Sequence, residues 1–225
     1  MTRSAAEPIT IPVDGTAGVS GLWQTASSAK ACFVLAHGAG AGMHHPFLES
    51  FASQLAGLHI ASLRYQFFYM DRGSKRPDPP KLCHTVVRAA VAEAARRTPV
   101  PLVAGGRSFG GRMTSQAQAE SPLPGVRGLV FLAFPLHPAK KPANDRAQHL
   151  FDVHIPMLFL QGRRDELADI QLLEALLAKL GKTTSSRLID SADHSFHVPA
   201  RSGRTDAAVL TELVETLARW VESLL

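Results

Sequence analysis

Cysteine is nearly absent: only Cys32 and Cys83 occur in 225 residues, too few for a disulfide framework. Both lie in apolar-patterned segments, so two buried free thiols in a reducing compartment are expected. No apolar stretch follows the start MTRSAAEPITIPVDG, so no secretory leader is expected. No apolar run approaches the ~20 residues of a membrane span. The expectation is a soluble, cytoplasmic protein without membrane contact. Blocks of like charge are missing too. Lys and Arg outnumber Asp and Glu by 24 to 19, a net charge of +5, with a pI of about 9.6. Such a balance raises nucleic acid as a partner. Yet the cations are scattered, among them Arg72, Lys75, Arg76, Lys140, Lys141, Arg163, Arg164, Arg201 and Arg204, without a zinc-finger or RNA-binding signature. They read as a solvated surface, and no nucleic-acid partner is expected. His44 and His45 do not make a zinc-binding spacing, so no metal is expected.

What is present is ordinary for a globular chain: 45% hydrophobic and 19% charged residues, in a length that suits one domain. A single domain over residues 1–225 is expected, with residues 1–30 giving short antiparallel strands from runs such as Ile9–Val13 and Val19–Trp23. From Ala31 onward, apolar runs alternate with helical patterns. Strands are expected at Ala31–Ala36, Ile60–Tyr65, Leu102–Gly105, Leu129–Phe134, Met157–Leu160 and Ser186–Ile189. Between them, Pro46 opens a helix that Gly57 ends, and Leu82–Arg97 and Phe109–Ala119 are helical. A further helix runs between a cap at Asp169 and a stop at Gly181. The last starts near Asp206, with a face of Leu210, Leu213, Leu217, Trp220 and Leu224. Continuous apolar strands alternating with helices imply an α/β fold with a doubly wound, mostly parallel sheet. Ligands then bind beyond the carboxyl ends of the strands.

The stretch after Leu102–Gly105 is Gly106-Arg107-Ser108-Phe109-Gly110-Gly111. It places a serine between a strand and a helix, flanked by small residues that such a sharp turn requires. Ser108 would then be exposed near a helix N-terminus, which favours negative charge. The blander reading is a glycine-rich connector whose serine caps the helix. A nucleophilic serine needs a base and a group to orient that base. Asp165, in Gly162-Arg163-Arg164-Asp165, and His194, in Ala192-Asp193-His194-Ser195-Phe196, follow later strands in the chain order such a triad takes. Asp169 and His197 are the competing candidates. Acyl transfer also builds an oxyanion, for which the amide of Phe109 and one from Ala39 or Gly40 are the natural donors. The turn His37-Gly38-Ala39-Gly40-Ala41-Gly42 has its glycines wrongly spaced for a dinucleotide loop, and no P-loop Lys follows. His37 is expected to pack beneath this turn and bond to backbone.

These four pieces together resemble the α/β-hydrolase superfamily. More narrowly, the chain is similar to the small dienelactone-hydrolase-like group, a subset of which has eukaryotic relatives associated with a chromatin-modifying complex. The closer resemblance rests on Leu63-Arg64-Tyr65-Gln66-Phe67-Phe68-Tyr69, Arg76-Pro77-Asp78, Gly105 to Arg112, and Phe134-Pro135-Leu136-His137-Pro138. It covers the chain from about Ala31 onward. It implies a serine nucleophile at Ser108 with Asp165 and His194, and no cofactor. Dienelactone hydrolases proper use cysteine where Ser108 stands, so the resemblance carries a reaction class rather than one molecule. The expected activity is ester hydrolysis through an acyl-Ser108 intermediate on a small-molecule acyl substrate. A non-catalytic interaction domain on the same fold is the alternative. The connection from Leu136 to about Pro156 is short and polar, enough for one short helix but not a cap domain.

Overall fold

In the computed structural model, which describes residues 5–225, the Pro- and Gly-punctuated start folds into antiparallel strands β1 (Glu7–Ile11) and β2 (Val19–Gln24). β1 lies earlier than the expected Ile9–Val13, because Val13 already belongs to a turn that Thr16 N–H closes on its carbonyl at 3.0 Å. The first four residues of the expected domain lie outside the described residues. Strands β3 (Ala31–Ala36) and β4 (Ile60–Tyr65) have the expected bounds. They are followed by β5 (Leu102–Arg107), β6 (Val126–Leu132), β7 (Met157–Gly162) and β8 (Thr184–Ile189). All eight form one sheet in the order β1-β2-β4-β3-β5-β6-β7-β8. β2 meets β4 antiparallel, and the pairs from β4 to β8 are parallel.

Why the central strands read as unbroken apolar runs is visible in β3. Cys32, Val34 and Ala36 face one helical layer, while Ala31, Phe33 and Leu35 face the other. Both faces are dry, so neither parity can be polar. One layer holds α1 (Pro46–Gly57) and α6 (Asp206–Glu222); the other holds α3 (Pro80–Arg97), α4 (Phe109–Glu120) and α5 (Ile170–Leu180). The helix starts follow local chemistry. Pro residues open α1 and α3, and the Asp169 carboxylate accepts from Gln171 and Leu172 N–H at the head of α5. Those side chains satisfy or remove donors that a helix start leaves unpaired.

Other expectations shift as well, including β7, which runs on to Gly162, and β8, which starts at Thr184. β5 continues through Gly106 and Arg107, because Gly106 still pairs with Ala36 and Arg107 with Leu132. β6 ends at Leu132 rather than Phe134, where Ala133 turns to a φ of 58°. The buried face of α6 is Val209, Leu213, Val214, Leu217 and Val221, with Leu210, Trp220 and Leu224 at its margin. A short helix absent from the sequence reading, α2 (Phe68–Asp71), follows β4. Between β6 and β7 the chain forms only a short 3-10 helix, Asp145–Asp152, whose Ala147 and Leu150 are buried. No cap domain is present there, as expected. Cys32 and Cys83 are free and buried. Among the described residues no helix is long and apolar enough to cross a membrane, and no cluster of three or more His, Cys, Asp or Glu could hold a metal.

Candidate active site

The chain runs from β3 outward to β4 and then returns to the other side of β3 as β5. Such a reversal opens a crevice at the carboxyl ends of the strands. The glycine turn leaves β3 and Ser108 leaves β5 on its two sides, and the loops after β7 and β8 bring Asp165 and His194 to the same edge.

Ser108 takes φ 49° and ψ −113°, a backbone state that costs a non-glycine residue of order 1–3 kcal/mol. Its N–H donates to Leu132 O at 2.9 Å, which fixes the turn against β6. The flanking glycines are required by close approach. A Cβ on Gly106 would lie 2.4 Å from Ala36 O, and one on Gly110 would lie 2.5 Å from His37 O. The elbow is therefore pressed against the end of β3, and Ser108 is left partly exposed at the head of α4.

Ser108 Oγ lies 2.9 Å from His194 Nε2, and His194 Nδ1 lies 2.7 Å from Asp165 Oδ2. The carboxylate is fully buried whereas the imidazole keeps 26% of its surface. Asp165 is tightly held. Its Oδ1 accepts from Leu167 N–H at 2.8 Å, and Oδ2 also accepts from the buried Gln161 amide. Gln161 Oε1 in turn accepts from Phe134 N–H at 2.8 Å. The imidazole is held through its neighbours. Asp193 Oδ1 accepts from Ser195 and His197 N–H at 2.7 and 3.0 Å. Phe196 stacks on Phe47 at 5.7 Å, and the Arg107 guanidinium sits 5.1 Å from that ring on its way to Ser195 Oγ, 3.3 Å from Nη2.

The competing candidates are elsewhere. Asp169 caps α5, as its N-cap reading requires. His197 is exposed, with its Nδ1 2.8 Å from Asp206 Oδ2. That carboxylate raises the His197 pKa, and the histidine lowers that of Asp206.

The glycine turn passes close to the serine: a Cβ on Gly38 would be 3.9 Å from Ser108 Cβ. Ala41 N–H closes the turn on Gly38 O at 3.2 Å, and Gly40 takes a φ of 72°. Ala39 and Gly40 thus lie on the turn beside the elbow, and Phe109 is the first residue of α4. His37 is buried beneath the turn as expected. Its Nδ1–H donates to Gly38 O at 2.8 Å, and its Nε2 accepts from Phe67 N–H at 3.2 Å. These two bonds specify one neutral tautomer, and burial lowers the pKa to about 4. Burial also pushes the Tyr69 phenol up to about 12, opposed by the nearby Gly40 amide. His137 repeats the His37 device at the acid loop, with Nδ1–H on Pro138 O and Nε2 accepting from Asp169 N–H.

Gln161 and Arg107 escaped the sequence reading. The available signal was a polar residue ending an apolar strand, which points to a function only when its distant partner is known.

The fold recurs in solved structures. A dienelactone hydrolase from Anabaena variabilis superposes with a TM-score of 0.76 at 18% identity, covering 99% of each chain. An α/β serine hydrolase without lid from Xanthomonas campestris gives 0.74 at 20% identity, over 98% of this chain and 97% of that one. A cold-adapted esterase from an Arctic intertidal metagenomic library gives 0.67 at 20% identity, over 97% and 95%. The family model described as an alpha/beta hydrolase domain matches residues 29–222, most of the chain, and the protein belongs to the α/β-hydrolase family.

Proposed function

We propose that the protein is a serine esterase working through an acyl-Ser108 intermediate. The observation that carries this reading is the chain Ser108–His194–Asp165, closed at 2.9 and 2.7 Å. Ser108 Oγ–H donates to His194 Nε2, which takes the proton as Oγ attacks the ester carbonyl carbon. Asp165 accepts from Nδ1–H, fixes that tautomer and stabilises the imidazolium. The carbonyl π pair moves to oxygen, and the resulting oxyanion faces Phe109 N–H and an amide of Ala39 or Gly40. Collapse expels the alkoxide, which takes the proton from Nε2. Water then repeats the sequence in deacylation, releasing the acid and returning the proton to Ser108. Every atom in the cycle comes from protein, ester or water.

The substrate class we propose is a small-molecule ester with a short or compact acyl group, since the connection between β6 and β7 forms one short 3-10 helix rather than a cap. Cys32 and Cys83 are free, buried thiols with no disulfide between them, which suits a reducing location such as the cytoplasm. An interaction domain would have no need for three aligned groups with a dedicated tautomer. Purified protein should label with a fluorophosphonate at Ser108 and turn over p-nitrophenyl acetate, and Ser108→Ala should abolish both while keeping the far-ultraviolet circular dichroism. Wild-type turnover in folded Ser108→Ala would refute the mechanism.

A further inference from the structure

The segment Leu63-Arg64-Tyr65-Gln66-Phe67-Phe68-Tyr69 takes no part in the proton transfers, yet several of its groups converge on the glycine turn. Met43 N–H donates to Gln66 Oε1 at 3.0 Å, and Arg64 Nη1 donates to Met43 O at 3.1 Å. Arg64 is only 3% exposed, so its reach to Met43 is made inside the protein. A Cβ on Gly42 would meet both polar atoms of the Gln66 amide at 3.4 Å. At the other end of the turn, Phe67 N–H holds His37, which holds Gly38 O. Both backbone groups of Met43 are therefore anchored to the end of β4, while Gly38 is anchored through His37. Ala39 and Gly40 lie between these two fixed points, with the Tyr69 phenol near the Gly40 amide.

We propose that Gln66, assisted by Arg64, is a positioning residue for the oxyanion donors. It fixes Met43 so that the turn presents an amide of Ala39 or Gly40 toward Ser108 before charge develops. This rests on the reading of Ser108 as the acylated nucleophile. The physical need is specific to this turn. Gly40 and Gly42 take φ of 72° and 66°, and a glycine-rich segment has many accessible conformations. An oxyanion donor contributes only if it is already aimed when the tetrahedral intermediate forms. Anchoring at both ends removes that freedom without placing a side chain in the site.

The test uses Gln66→Leu, which removes the acceptor, and Gln66→Glu, which keeps one for Met43 N–H. Steady-state kinetics with p-nitrophenyl acetate are compared with inhibition by a trifluoromethyl ketone, whose adduct on serine carries an oxyanion. Both are normalised to folded protein by active-site titration. For Gln66→Leu, kcat should fall about tenfold or more with KM changed less than about twofold. Affinity for the ketone should fall by the same factor as kcat/KM, and Gln66→Glu should recover most of both. An unchanged kcat, an unchanged ketone affinity, or a Gln66→Glu as impaired as Gln66→Leu would each overturn the proposal. If Ser108→Ala hydrolyses the ester as well as wild type, the acylation reading fails and takes this role with it. If Ser108→Ala is inactive while Gln66→Leu is unimpaired, the positioning role alone falls.

Discussion

Asp165 and Asp169 are carboxylates on the same loop with opposite surroundings. Asp165 is buried, and its oxygens are filled by His194, Gln161 and Leu167. Asp169 caps a helix with one oxygen. Asp165→Asn should therefore fold but lose turnover by up to about four orders of magnitude, since an amide cannot hold the Nδ1–H tautomer in the same way. Asp169→Ala should cost about 1 kcal/mol of stability and little turnover. Parallel kinetics and urea denaturation separate the two, and a larger kinetic loss at Asp169 would reverse the assignment. His37 and His149 contribute to the acid behaviour. Burial lowers both from 6.5 to about 4, so the unfolded chain takes protons first as pH falls. Their contribution is complete above the unfolded value and is lost progressively between pH 6.5 and about 4. Protonated His37 would also have no acceptor for Phe67 N–H. The melting temperature should drop across that window. In His149→Gln, whose amide N–H can still donate to Ser115 Oγ while that hydroxyl donates to Arg112 O, the drop should be shallower.

The turn at Ser108 is made by how α4 crosses the end of β3. Gly110→Ala would drive a Cβ into the His37 carbonyl and the Ala36 side chain, at 2.5 and 2.7 Å. It should cost about 1–3 kcal/mol by overpacking and displace Ser108 from His194. Gly57→Ala, where a Cβ meets nothing within 4 Å at the exposed end of α1, should be neutral or stabilise by up to about 1 kcal/mol. Chemical denaturation of both variants checks the contrast. The same crossing explains what could be read from sequence. β3, α1 and β4 are legible because apolar periodicity and Gly or Pro stops agree at their ends. β5 is longer than its pattern suggests, because Gly106 reads as a break but serves as a paired residue that lets two backbones touch. The face of α6 reads in the sequence as leucines and Trp220, whereas Val209, Val214 and Val221 share the buried side with Leu213 and Leu217. That Ser108, Asp165 and His194 meet is legible because each follows a strand of the parallel sheet and so leaves it at the same edge. Gln66, Gln161 and Arg107 are not, since their partners Met43, Asp165 and Ser195 are fixed by the tertiary fold and no local pattern announces them.

At the level of the molecule, the crevice has no covering domain. The 3-10 helix at Asp145–Asp152 packs its Ala147 and Leu150 inward, so it offers little wall for a long acyl chain. Acetyl and butyryl esters should be turned over faster than palmitoyl esters, with no jump in rate when the substrate forms micelles. A palmitoyl preference or a micellar jump would show that some other apolar surface holds the chain. The two native thiols bear on a different use of the molecule. Cys32 and Cys83 are buried and their pKa values are raised to about 12, so the native surface is silent toward alkylating reagents. The strained turn at residue 108 is imposed by its neighbours rather than by the hydroxyl. A Ser108→Cys chain would thus display one thiol beside an imidazole and a helix N-terminus, both of which favour thiolate. Iodoacetamide or a maleimide should modify it at a single position under native conditions, turning the crevice at the strand ends into an address for a dye, a spin label or a surface tether.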